Sequence, residues 1–194
     1  MPADTLMPIA IADLAPAPLR VRWSRQQAIV NFRGDPADAA LLQALSGVVG
    51  LPWPTRAADC PNDGPADAHH RVVWAGPDDW FVIAPAGCQS AMAKSLREAA
   101  GSRHHAVTDV SSGYVVLGLS GPAAAEVLAQ GCPLDLHQRS FAVGASAGTH
   151  FFKASVWLWR VQDDVFELLV RSSFAGYVQE MLERCTLECG IESD

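Results

Sequence analysis

Charge is scarce in this chain: Asp, Glu, Lys and Arg make up 18% of its 194 residues, against roughly 25% for an ordinary soluble domain. A thinly charged surface is one suited to being covered by a partner. The charge that is present runs acidic, a formal net of −7, and no basic run with interleaved aromatics occurs. The electrostatic footprint needed to neutralise a phosphate backbone is therefore missing, and nucleic acid is not an expected partner. Long apolar runs are missing too. No segment reaches the roughly 18 apolar residues of a membrane helix, so no membrane association is expected. The opening stretch MPADTLMPIAIADLAPAPLR has no cationic start, and Pro and Asp interrupt it, so it does not read as a secretory signal and the expected location is the cytoplasm. Cys60, Cys88, Cys132, Cys185 and Cys189 contain no CxxC pair and no even disulfide framework, which points to reduced thiols. Cys185 and Cys189 are four apart on an expected helix and share a face there, but no second ligand pair accompanies them, so packing is the simpler reading than zinc.

What the chain has is apolar content, 49% hydrophobic, enough at this length for a core that needs neither disulfides nor metal. The first twenty residues are rich in Ala and Pro and are expected to form an extended arm, because Pro fixes its torsion and lacks a backbone donor. From there a recurring order of strand, strand, helix is legible. VRWSRQQAIVNF reads as two short strands around a polar turn, and Asp35-Pro36 opens a helix running to Gly47. HRVVWAG and DWFVIAP flank a turn at Pro77-Asp78 and precede the helix-forming GCQSAMAKSLREAAG. HAVTDVS and GYVVLGLS precede PAAAEVLAQG, and a fourth unit comprises FFKASVWLWRVQ, DVFELLVRS and the helix FAGYVQEMLERC. The pattern repeats without repeating residues. It predicts an α+β fold, antiparallel sheets with packed helices, as one domain over 21–190 made of two intimate subdomains of about 21–103 and 104–190. The long irregular stretch Leu51–His69, rich in Pro, Asp and Gly, reads as a covering or partner-contact loop anchored by Trp53, with a plain flexible connection as the alternative.

Few residues offer chemistry. Asp109 ends an apolar strand before Ser111 and Ser112, a place where an acid orients a polar ligand or caps its own turn. His69-His70 and His104-His105 are adjacent pairs, and neighbours on a strand face opposite ways, so neither pair is a bidentate metal site. Trp157 and Trp159 fall on one face of a strand, which suits a core or a subunit interface better than flavin stacking. Ser120-Gly121-Pro122 opens a helix, but without a GxGxxG or GxxxxGK pattern ordinary capping accounts for it.

Taken together, WAGPDDWFVIAP, VTDVSSGYVVLGLSGPAAAEVLAQGCPLDLH and VFELLVRSSFAGYV resemble the gamma subunit of heterotetrameric sarcosine oxidase. The resemblance runs from about Trp74 to Tyr177, and its most specific element is GCPLDLH at Gly131–His137. The same region is more distantly similar to the T-protein of the glycine cleavage system, through Asp109–Ser111, the strand after it, and Ser120–Pro122. The resemblance implies a non-catalytic subunit with a structural and assembly role, partnered by alpha, beta and delta subunits. Those subunits are expected to carry FAD, FMN, NAD, tetrahydrofolate and zinc, and to oxidise the N-methyl group of sarcosine or a relative. On this chain it implies no catalytic, cofactor-binding or metal residue. His137, closing GCPLDLH, is expected to cap the preceding helix region or touch a partner. Two departures stand out. The usual gamma pattern continues DVS with His and a nearby Arg, where this chain has Ser112 and Tyr114. The T-protein's acidic pair falls by position near Ala154 and Ser155, neither of which carries a charge. That absence weighs against the rival reading, a stand-alone folate-dependent aminomethyl transferase. A free-standing binding module is the third possibility.

Overall fold

Successive residues of a strand face opposite sides of its sheet, and in this protein both sides are buried. The computed structural model describes residues 19–24, 27–56 and 70–189; the expected N-terminal arm up to Pro18 lies outside them, as do Cys60, His69 and most of the 51–69 loop. In strand β2 (Gln27–Gly34), Ala28, Val30 and Phe32 pack against helices, while Ile29 between them packs against a second sheet. Double burial explains why strands such as DWFVIAP read as near-continuous apolar runs rather than strict alternations.

Nine strands and four α-helices form among the described residues. Besides β2 these are β1 (Arg20–Ser24), α1 (Ala39–Val49), β3 (Arg71–Gly76), β4 (Asp79–Pro85), α2 (Gln89–Ala100), β5 (His105–Asp109), β6 (Tyr114–Ser120), α3 (Ala124–Ala129), β7 (Ser146–Phe151), β8 (Ala154–Gln162), β9 (Val165–Arg171) and α4 (Ala175–Glu188). They make a five-stranded sheet in the order β1-β6-β9-β8-β7 and a four-stranded sheet in the order β3-β4-β2-β5. Every pairing in both is antiparallel. The α+β class and the strand-strand-helix rhythm of the sequence are both present.

Three apolar clusters hold the layers. One joins α1 and α2 to the four-stranded sheet through Leu41, Leu45, Leu96, Phe32 and Trp80. Another joins α3 and α4 to the five-stranded sheet through Val127, Val178, Leu182, Leu158 and Leu168. The third lies between the sheets and contains Ile29, Val73, Phe81 and Ile83 of one sheet and Val116, Trp159 and Leu169 of the other. The order is helices, sheet, sheet, helices. β1 and β2 therefore separate into different sheets although they are consecutive, and β5 and β6 do the same.

Local details differ from the sequence reading in two places. Asp35 does not cap α1: its carboxylate accepts from the Ala37 N–H at 2.9 Å in a turn of its own, and Asp38 caps the helix by accepting from the Leu41 N–H at 2.8 Å. An Asp followed by Pro is as good a turn former as a cap, and the chain holds an acid at both positions. FFKASVWLWRVQ is not one strand. The chain reverses at Phe152-Lys153 between β7 and β8, with Phe151 paired to Ala154, and no Gly, Asn or Asp marks a turn there.

Trp53 anchors the start of the 51–69 segment as its size suggests. Its indole is 6% exposed, meets Phe32 edge-on at 5.6 Å and lies 5.9 Å from Trp80. The Trp53 backbone N–H donates to the Ser46 hydroxyl at 3.0 Å, and the Trp80 indole donates to the Pro54 carbonyl at 2.7 Å. Truncating Trp53 opens a void lined by rigid rings, and such losses cost about 3–5 kcal/mol. Trp53→Ala is expected to lower the urea midpoint by that equivalent with an unchanged slope; a loss under 1 kcal/mol would mean the indole is not a core residue.

Candidate functional site

The sequence's strongest acid, Asp109, closes β5, and its carboxylate is engaged at once by its neighbours. It accepts from the Ser111 hydroxyl at 2.5 Å and from the Ser111 N–H at 3.0 Å. Ser111 in turn accepts from the Ile29 N–H at 3.0 Å, and the Val110 N–H donates to the Ile29 carbonyl at 2.9 Å. The Asp-Val-Ser motif thus fastens the end of β5 to β2 just where the chain crosses to the other sheet. The Ser111 hydroxyl first, and its N–H second, hold the Asp109 carboxyl below its ordinary value of 3.8. This is the turn-capping role, performed by one carboxylate oxygen, Oδ1, on an exposed side chain.

The GCPLDLH element follows α3 and is built the same way. The Asp135 carboxylate accepts from the Ser140 hydroxyl at 2.6 Å and the His137 N–H at 3.0 Å, and both lower its pKa, the hydroxyl more. His137 is exposed; its Nδ1 accepts from the Arg139 N–H at 3.2 Å and its carbonyl from Ser140 and Phe141. His137 thus caps the turn that follows it rather than the helix before it. Leu136 and Cys132 are buried, and the Cys132 sulfur lies 3.7 Å from the Thr149 hydroxyl.

Arg160, which the sequence reading passed over, ties this element to the sheet. It is 4% exposed, its guanidinium donates to the carbonyls of Leu136 and Asp163, and it lies 4.5 Å above the Phe166 ring. Strand parity was the available signal: with Val156 and Leu158 facing the helices, Arg160 had to face them as well. A second missed group lies between the sheets. Arg71 of β3 pairs with Glu167 of β9, and Glu167 also accepts from the Trp159 indole at 3.1 Å.

The other sequence candidates scatter. Trp159 is fully buried between the sheets, and Trp157, on the same face, meets Phe81 at 4.9 Å and Tyr114 at 6.1 Å. Trp159 is a core residue, and Trp157 packs half-buried against the same cluster. His70 lies 3.4 Å from the Val49 carbonyl, and His105 stacks on Phe32 at 6.2 Å with its Nδ1 2.8 Å from the Arg103 carbonyl. Gly121 of the SGP turn donates to the Asp164 carbonyl at 2.9 Å, so that N–H is spent on the β8–β9 turn. Cys185 is buried in the helix core, where burial pushes its thiol up to about 11; Cys189 accepts from the Gln130 amide at 2.8 Å. Ala154 is fully buried, Ser155 is exposed, and neither brings an acid to the β7–β8 turn. Among the described residues no three His, Cys, Asp or Glu side chains gather as a metal site, and no helix is long and apolar enough to cross a membrane.

The fold defines a class. The chain superposes over 86% of its length on 45% of the aminomethyltransferase T of the glycine cleavage system from Bartonella henselae, with a TM-score of 0.61 at 18% identity. That likeness is one of fold. It superposes more closely, over 88% of its length and 84% of the other chain, on a chain of heterotetrameric sarcosine oxidase from Corynebacterium sp. U-96 in complex with pyrrole 2-carboxylate, with a TM-score of 0.79 at 29% identity. A sequence profile of the sarcosine oxidase, gamma subunit family matches residues 33–188. The sarcosine oxidase subunit gamma of Corynebacterium sp. (strain P-1) is 34% identical over 162 residues, 84% of this chain and 75% of that one. Its counterpart from Arthrobacter sp. is 35% identical over the same share of each. The chain belongs to the sarcosine oxidase gamma subunit family.

Two tests follow from the site. Lowered carboxyl pKa values contribute stability above the unfolded-state value and lose it as pH falls through the folded one. The stabilising effect of Asp109 and Asp135 is therefore intact at neutral pH, begins to fall near pH 3.8 and is lost as pH drops through their lower folded-state values. Melting temperature measured from pH 6 to pH 2 is expected to fall more steeply for the native chain than for Asp109→Asn with Asp135→Asn; parallel curves would remove both carboxylates from the account. Gly131 is the other test. A Cβ there lies 2.5 Å from the Phe152 ring and 2.8 Å from the buried Phe151 ring, so Gly131→Ala is expected to cost about 1–3 kcal/mol by overpacking, read from denaturant unfolding.

Proposed function

We propose that this chain is the gamma-type subunit of a heterotetrameric sarcosine oxidase-type complex in which it is non-catalytic and serves structure and assembly. Its partners would be alpha, beta and delta subunits carrying FAD, FMN, NAD, tetrahydrofolate and zinc, and the complex would be cytoplasmic. The complex would oxidatively demethylate sarcosine or a related N-methyl amino acid. Hydride chemistry then belongs to flavins held elsewhere, and this chain supplies stiff contact area from its two layers, 21–103 and 104–190, which exchange strands β1 and β5. The observation that carries this reading is the superposition on a heterotetrameric sarcosine oxidase chain across most of both lengths. The site chemistry supports it from a second side. Asp109, Asp135 and Arg160 are each committed to holding the chain's own backbone, whereas a catalytic group has to be held in reach of substrate.

The rival transferase reading needs a carboxylate near the β7–β8 turn, where the chain has Ala154 and Ser155. Two measurements on the purified chain separate these readings. Alone, it is expected to be colourless, to lack oxidase activity and to show no folate-dependent aminomethyl transfer; co-expressed with the other subunits, it is expected to elute with the flavoprotein. Tight tetrahydrofolate binding with turnover by the isolated chain would replace this reading by the transferase one.

A further inference from the structure

The two sheets share one strand order, and they differ at one edge. From that edge inward, one sheet runs β5-β2-β4-β3 and the other β1-β6-β9-β8, with β7 added beyond β8. β1 thus holds in its sheet the place that β5 holds in the other, although it enters from the N-terminal side of the chain. An edge strand leaves alternate N–H and C=O groups without a ladder partner. On β5 that edge is closed: α2 packs along the strand, and the Arg97 guanidinium donates to the Val107 carbonyl at 2.8 Å. At the opposite edges of the two sheets, β3 and β7 lie against each other. β1 is bonded to β6 alone, and among the described residues no strand or side chain closes its outer edge.

The side chains of β1 divide by face. Val21 and Trp23 pack half-buried on the side of α3 and α4. Arg22 lies opposite Gly118, which lies opposite Glu167, so Arg22 and Arg20 belong to the face turned toward the other sheet. Both arginines are exposed, and neither pairs with a carboxylate among the described residues. Glu167, the acid on their own face, is taken up by Arg71 and by the Trp159 indole. On β5 the matching face carries Ala106 and Thr108, without charge. In a chain of net charge −7, the open strand edge is the one that carries two unpaired cations at alternate positions.

We infer that β1 is the docking edge of this subunit: an extended segment of another subunit of its complex, with carboxylates at alternate positions, adds to β1 as a sixth strand of the sheet. Main-chain hydrogen bonds to the open edge supply affinity, and the acidic side chains meet Arg20 and Arg22 as cross-strand pairs. The inference rests on the proposed assembly role and adds the place and chemistry of the contact. The arginines also exclude a second copy as the occupant. Residues opposite one another in an antiparallel pair share a face, so β1 joined to itself over its whole length sets the two Arg22 side chains against each other, and like charges so placed are destabilising.

The test uses the full chain co-expressed with the other subunits of its complex, with the affinity tag on the flavoprotein. Arg20→Glu with Arg22→Glu changes only exposed side chains, so the chain is expected to fold, as checked by circular dichroism. Its recovery with the flavoprotein is expected to fall on the order of tenfold at low salt, with the difference narrowing at high salt. Hydrogen exchange reads the backbone: amides of residues 20–24 that point to the open edge are expected to exchange at least about tenfold more slowly in the complex than in the chain alone. Undiminished recovery of the variant, when the native chain is retained, overturns the docking edge and leaves the assembly role standing. Reduced recovery without added protection at 20–24 makes the contact one of charge alone and overturns the added strand. Arg20→Thr with Arg22→Thr addresses the reading in which the arginines only keep like edges apart; self-association of that variant with recovery unchanged overturns the inference. Failure of the native chain itself to be retained overturns the assembly role.

Discussion

The contact between the two sheets is the constraint on which the other features depend. Ile29, Val73, Phe81, Ile83, Val116, Trp159 and Leu169 bury the inner faces together, and only because those faces are covered can the strands be apolar on both sides. Each sheet then has a second apolar face, which needs helices: α1 and α2 on one side, α3 and α4 on the other. Few polar groups are admitted to the inner layer. Glu167 meets both Arg71 and the Trp159 indole, one group from each of the facing sheets. A carboxylate there without Arg71 would bear its desolvation cost alone. The pair is thus a condition on how the sheets register rather than a large source of stability.

That layering dictates where the chain must cross, and the crossings are where the polar motifs sit. β5 ends in one sheet and β6 begins in the other, and Asp109 and Ser111 bind the last residue of the crossing to β2. At the far end of β6, Gly121 is bound to the β8–β9 turn through Asp164, and the same turn receives Arg160, which also holds Leu136. Each polar cluster closes one seam between layers. The side chains that looked most like chemistry in the sequence are consumed by topology.

The legible part of the fold was the part set by local pattern. Helices over 89–100 and 175–188 follow from apolar spacing bounded by Gly101 and by the strand before Phe174, and paired strands follow from β-branched and aromatic runs. Partner choice was not legible. VRWSRQQAIVNF contains two strands, but nothing in their composition says that one pairs with β6 and the other with β4 and β5. The β7–β8 turn stayed hidden for a different reason: Phe152-Lys153 carries no turn chemistry, because the seat provided by Gly131, twenty-one residues earlier in the chain, is what holds it. Arg160 could have been found by parity, whereas Arg71 and Glu167 could not have been matched without knowing which sheets face each other. The Asp109 turn, by contrast, is legible locally, since an acid two residues before a serine has a partner whatever the tertiary context.

These distinctions bear on what resemblance to folate-handling proteins means. The elements similar to the T-protein, Asp109–Ser111 and Ser120–Pro122, are the ones that fasten β5 to β2 and α3 to the β8–β9 turn. In this chain they serve the two-sheet architecture, and likeness of fold does not carry activity with it. The element characteristic of the gamma family behaves differently. GCPLDLH turns Leu136 and Cys132 inward and, through Gly131, sets the position of an aromatic side chain that faces outward. Inward packing at that site would be satisfied by many sequences, whereas a glycine under the Phe152 ring is needed only if the hairpin must stand where it does. In this chain GCPLDLH therefore both fills the core and fixes where the β7–β8 hairpin stands.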